Sequence, residues 1–171
     1  MRDLIRRIIK EQIVDKKQML QDLVKSSGFN TGVKMVGGPE NYIRLMYGGD
    51  FNKFVQDNNI QVARISDDGM NMYLDPMFVD LMMFDNTNFG AKKLGKFRYG
   101  PKDGISYSFT ADLLPVKSNG EIIRYKVVGT SGDSGFGYSF ITKRNTLGKR
   151  HRQQIFSQII DKYKLKKYLN N

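Results

Sequence analysis

Apolar residues recur at helical spacing near both ends of the chain and at alternate positions through its middle. Leu4, Ile5, Ile8, Ile9 and Ile13 form one stripe of period 3.6, which Leu20, Leu23 and Val24 resume after Asp15–Gln18. This spacing predicts a helix over 2–25, closed by Ser26-Ser27-Gly28. Two short helices follow. Pro39-Glu40 opens one holding Tyr42, Ile43, Leu45 and Met46, which Gly48-Gly49 stops. Asp50 is placed to cap the other, over 51–57, and Asn58-Asn59 ends it. Residues 60–65 and 70–74 read as a strand pair around Asp67-Asp68-Gly69, and Asp75-Pro76 begins a largely buried helix over 77–84.

From 94 to 141 the period changes to two. Ile105, Tyr107, Phe109, Ala111 and Leu113 alternate with Ser106, Ser108, Thr110 and Asp112. Asn119-Gly120 is a strong hairpin signal, because both turn positions favour positive φ. The return strand sets Ile123, Tyr125 and Val127 against Arg124 and Lys126, and a Gly/Ser loop over 129–135 leads to a strand over 136–141. Residues 143–167 read as a turn followed by an amphipathic helix, whose stripe of Ile155, Phe156, Ile159, Ile160 and Tyr163 should pack on the sheet. The pattern predicts one α+β domain: an antiparallel meander of about four strands plus a hairpin, with amphipathic basic helices at both termini. Residues 1–26 are the first helix, free to dock outside the body; 27–142 are the body, and 143–171 the basic C-terminal segment.

Composition narrows the chemistry. With 171 residues, 40% of them hydrophobic and 12% aromatic, the chain can bury a proper core. It has no cysteine and one histidine, His151, which excludes disulfides, thiolate chemistry, cysteine-ligated zinc and paired-histidine metal sites. No metal and no cofactor are expected, and carboxylate-held Mg²⁺ is the metal chemistry left open. Arginines at 2, 6 and 7 and Lys10 interrupt the opening apolar residues, so a secretory signal is not expected, and no apolar run reaches membrane-spanning length.

The charge of +11 is uneven. Residues 1–25 hold seven basic and four acidic residues, residues 26–142 hold twelve of each, and residues 143–167 hold nine basic residues against Asp161. Such a field attracts nucleic acid, acidic protein surfaces or anionic lipid. Lys149, Arg150 and Arg152 fall near the start of the last helix, where the dipole already disfavours cations by about 0.3–1 kcal/mol each. With Lys143 and Arg144 they make a candidate anion or partner site. Lys92, Lys93, Lys96, Arg98 and Lys102 make a second basic patch, whose Gly90–Lys96 run lacks the spacing of a phosphate-binding loop.

Other motifs are weaker. Gly132-Asp133-Ser134-Gly135 looks like the nucleophile motif of trypsin-like serine proteases, but the one histidine follows the serine, where those enzymes place theirs far upstream. Gly135–Phe140 resembles part of the aromatic motif of RNA-recognition motif domains, which would make Phe136, Tyr138 and Phe140 base-stacking residues. Ser134 stands where that motif has a basic residue, and alternating aromatics are more often the core face of a sheet than an exposed stacking platform. Several of the acids Asp50, Asp57, Asp67, Asp68, Asp75, Asp80 and Asp85 have cap or turn positions, and a two-metal nuclease would require them to converge.

The opening MRDLIRRIIKEQ and the run VKMVGGPENYIRLMYGGDFNKF resemble small uncharacterised proteins of tailed bacteriophages. That resemblance implies a virion or bacterial host cytoplasm setting and transfers no catalytic residue. The expectation is a non-enzymatic structural or assembly protein, joined to other protein subunits through its basic terminal helices, with no membrane partner. The alternative is a DNA- or RNA-binding protein using residues 143–152 and the aromatic strand 136–140.

Overall fold

The computed structural model describes residues 2–82, 92–99, 107–131 and 149–169, and within them six α-helices and five strands build an α+β fold. One antiparallel sheet and helices toward both ends of the sequence carry it, as the periodicity predicts. Contacts divide these residues into two compact units: 2–60 with 77–82, and 61–76 with the remainder.

The first unit is helical: α1 (Arg2–Ser27), α2 (Phe29–Met35), α3 (Pro39–Tyr47), α4 (Phe51–Asp57) and, from Met77 onward, α5 (Pro76–Met82). Its boundaries follow local chemistry. Pro39 opens α3 and Gly48, at φ 64°, closes it in the left-handed conformation that glycine tolerates. The Asp50 carboxylate accepts from the backbone N–H groups of Asn52 (2.9 Å) and Lys53 (3.3 Å), satisfying donors that the helix itself leaves free. The core gathers Leu20, Val33, Tyr42, Ile43, Phe54 and Leu81. Phe29 meets Tyr42 edge-on at 5.1 Å, and Tyr47 meets Phe54 likewise at 5.4 Å. The Asn58 amide donates to the Tyr47 hydroxyl (2.9 Å) and the Phe54 carbonyl (2.8 Å), fixing the end of α4.

The second unit holds β1 (Ala63–Ile65), β2 (Met72–Leu74), β3 (Lys92–Tyr99), β4 (Tyr107–Ser118), β5 (Glu121–Ser131) and α6 (Lys149–Tyr163). The strands lie in the order β1-β2-β5-β4-β3, and every pair is antiparallel. Asn119 and Gly120, at φ 50° and 79°, make the tight turn between β4 and β5. The β1–β2 hairpin does not stand apart from the meander. β2 pairs with β5 through Tyr73↔Lys126 and Leu74↔Tyr125, making one continuous sheet. The fourth meander strand expected over 136–141 lies outside the described residues.

Alternation gives the sheet one apolar face of Ala63, Met72, Leu74, Ala111, Leu113, Tyr125 and Val127, all buried. α6 supplies the matching stripe of Ile155, Phe156 and Ile159, also buried. Its Arg152 donates to the Met70 carbonyl beside β2, and its Lys162 to the Leu94 carbonyl on β3. The helical rise between those two residues is about 15 Å, and the strand spacing from β2 to β3 is about 14 Å. The helix therefore runs across the strands rather than along them. It stops where Lys164 turns left-handed (φ 54°), with the Leu165 N–H on the Ile160 carbonyl (2.9 Å) and Leu165 itself buried.

Candidate interaction surfaces

α1 is unevenly used. Leu20 is its one buried residue, and Leu23 and Val24 pack partly against the helical core. Toward its start, Leu4, Ile5, Ile8, Ile9 and Ile13 are 44–58% exposed. They share a face, so about three turns of helix present an unbroken apolar stripe to solvent. The opposite face is charged, with Arg7 paired to Glu11 at 3.3 Å across one turn. Met19 and Met35 extend the apolar surface, and a groove of about 420 Å³ lies between them, lined also by Leu20, Leu23, Val36 and Leu45. Each half-exposed Leu or Ile leaves on the order of 1 kcal/mol of burial unrealised.

The basic start of α6 is occupied differently. Arg152 is half-buried and spends a hydrogen bond on the Met70 carbonyl (3.1 Å). Lys149 is exposed beside the β1–β2 turn: a Cβ on Gly69 would stand 3.7 Å from its Cε and 3.1 Å from Gln153 Nε2. That turn carries Asp67 and Asp68. The Asp68 carboxylate accepts from the Ser66 hydroxyl and the Met70 N–H, and these bonds, with the charge of Lys149, hold its pKa below the usual 3.8. Lys149 thus faces an acidic turn of its own chain, and Arg152 bonds the backbone beside that turn. Arg150 lies on α6 with its side chain outside the described residues, as do Lys143 and Arg144 entirely.

The remaining sequence candidates are reached only in part. Lys92, Lys93, Lys96 and Arg98 have backbone positions on β3, while their side chains, and all of Lys102, lie outside the described residues. Phe136, Tyr138 and Phe140 lie outside them as well. Among the described residues, no three His, Cys, Asp or Glu side chains gather as a metal site, and no helix is long and apolar enough to cross a membrane.

A third surface was legible only as scattered residues. On the sheet face opposite the apolar one, the register sets Arg64 across from Tyr73 and Tyr73 across from Lys126. Arg124, two residues before Lys126, lays its guanidinium 4.5 Å from the Tyr73 ring centre. A cavity of about 180 Å³ opens here, lined by Gln61, Arg64, Tyr73, Asp75, Ile123 and Arg124 among others. Alternation along β5 already marked Arg124 and Lys126 as sharing a face. The β2–β5 pairing that adds Arg64 and Tyr73 joins segments about fifty residues apart, and no local signal specifies it.

No family model, no curated protein and no solved structure matches this chain.

Proposed function

We propose that this chain is a non-enzymatic assembly component that joins protein subunits, copies of itself among them, through the apolar stripe of α1. One observation carries the reading: Leu4, Ile5, Ile8, Ile9 and Ile13 stand on one helical face and are each 44–58% exposed among the described residues. A helical stretch this short, containing four isoleucines, is marginal in water without tertiary packing. The stripe runs into the Met19–Met35 groove, so its apolar surface exceeds the isolated exposed residues normal for a soluble protein. The basic terminal helices are not equivalent in this reading. α6 engages its own sheet through Arg152 and Lys162, and α1 is the helix left to dock elsewhere. The phage resemblance of the sequence would set such an assembly in a virion or in the bacterial host cytoplasm.

Light scattering of the full chain over a concentration series tests this reading. Association that grows with concentration, and is lost in Ile5→Glu/Ile9→Glu/Ile13→Glu, is the expected result. A wild-type chain that stays monomeric throughout overturns it.

A further inference from the structure

We propose that the face formed by Arg64, Tyr73, Arg124 and Lys126 binds the phosphodiester backbone of single-stranded nucleic acid. Directly opposed residues bracket Tyr73 with Arg64 on β1 and Lys126 on β5, and Arg124 covers its ring. Two strand spacings, about 10 Å, separate the backbones of Arg64 and Lys126, and Arg124 stands two residues before Lys126 on the same face of β5. Among the described residues, none of the three side chains has a hydrogen bond or ion pair, and Arg124 Nε is buried without an acceptor. Asp75 also lines the cavity, leaving two arginines against one carboxylate there. Like charges held this close, with guanidinium donors unspent, are complementary to an anion that accepts several hydrogen bonds at once.

The rest of the surface says which anion. Arg124 stacked on Tyr73 forms a flat shelf, and Ile123 beside it is exposed. Cations interleaved with an aromatic and an aliphatic side chain suit a ligand that offers a phosphate and an unstacked base together, as a single strand does and a duplex does not. The cavity is smaller than a pocket for a whole cofactor, which is typically about 300–1,000 Å³. It fits one group of a chain that continues across the surface. This site shares no residue with the basic segment 143–152 or with the stripe on α1.

The test is anisotropy of a fluorescein-labelled oligo-dT with the full chain, titrated at several salt concentrations. Arg64→Gln/Arg124→Gln/Lys126→Gln should weaken binding at least about tenfold and flatten the log–log salt slope by about 2, the value for three lost phosphate contacts. Lys25→Gln/Lys34→Gln/Lys53→Gln, which removes the same charge from exposed positions in the other unit, should stay within about twofold of wild type. Arg64→Gln alone changes an exposed side chain and should still weaken binding measurably, which guards against misfolding of the triple variant. Tyr73→Leu should weaken binding with the salt slope unchanged, because it removes a stacking surface and no charge. Equal losses in the two triple variants, or no loss in Arg64→Gln, would overturn the proposal. So would duplex DNA or polyglutamate competing as well as unlabelled oligo-dT, which would assign the face to general anion attraction or to an acidic protein.

Discussion

The Arg152 guanidinium donates to the carbonyl oxygen of Met70 at 3.1 Å, joining residues 82 apart in sequence. The bond fixes the first turns of α6 against the β1–β2 turn, and the Lys162 bond to Leu94 fixes the far end across the sheet. Cations at a helix N-terminus cost stability through the dipole. Here the charge of Lys149 also acts on the Asp68 carboxylate, an attraction that offsets part of that cost.

Arg152→Ala should therefore lower unfolding stability by about 1–3 kcal/mol, the range for a charge-assisted hydrogen bond plus lost stem packing. Arg152→Lys should recover part of it, since a lysine restores charge and one donor. Urea titration measures both. A wild-type midpoint for the alanine variant would mean that α6 is held by its apolar stripe alone.

Acid should loosen the same contact. Asp68 titrates below the ordinary carboxylate value of 3.8 because the folded turn hydrogen-bonds its charged form, first through Ser66. A depressed folded pKa gives stability that is full above 3.8 and is lost as pH falls through the lower folded value. Asp68→Asn should flatten this acid limb of a stability–pH curve and leave the neutral region little changed. An acid limb identical to wild type would sink the prediction.

Alkali acts on the first unit. Burial raises the Tyr42 phenol from 10.0 to about 12, with Tyr47 adding to the shift. A raised folded pKa on an acid favours the neutral form, so stability is intact below 10.0 and declines as pH rises toward about 12. The loss is bounded by roughly 2–3 kcal/mol for a shift of this size. Tyr42→Phe keeps the ring against Phe29 and removes the ionisation, so its alkaline melting curve should fall less steeply than wild type. Parallel alkaline curves would place the sensitivity elsewhere.

Asp50→Ala should cost about 0.5–2 kcal/mol by freeing the Asn52 and Lys53 N–H groups at the start of α4. Asp50→Asn or Asp50→Ser should restore most of it in thermal melts, because each keeps a capping oxygen. Failure of both to rescue would argue that the carboxylate's charge, and not the cap, is what matters.

These cases mark what the sequence could reveal. Caps, turns and alternation are local, so Asp50, Pro39 and Asn119-Gly120 were each readable where they stand. α2 was not expected, because Thr31-Gly32 is poor helix chemistry. Its reason is tertiary: a Cβ on Gly32 would lie 2.6 Å from Val24 Cγ2, so glycine lets α2 approach α1 closely. The sheet was read as a meander with a hairpin beside it, whereas β2 and β5 pair directly. Among candidate sites, the basic start of α6 was visible as an electrostatic anomaly, and its counterpart, the Asp67-Asp68 turn, came from a segment some eighty residues away. The Arg64–Tyr73–Arg124–Lys126 face needed that same long-range register. The bare stripe of α1 was legible as a stripe, but only the packing shows that its first four turns are exposed while Leu20 is buried.

Hydrogen exchange of α1 against protein concentration is the most direct test of the assembly reading. At low concentration, amides over 4–14 should exchange quickly, because no residue of that stretch is buried among the described residues. At roughly a hundredfold higher concentration they should become protected, while amides around Phe54 stay unchanged. The Ile5→Glu/Ile9→Glu/Ile13→Glu variant should show no such protection. Protection over 4–14 that is the same at both concentrations, or absent from both, would contradict assembly of this chain through α1.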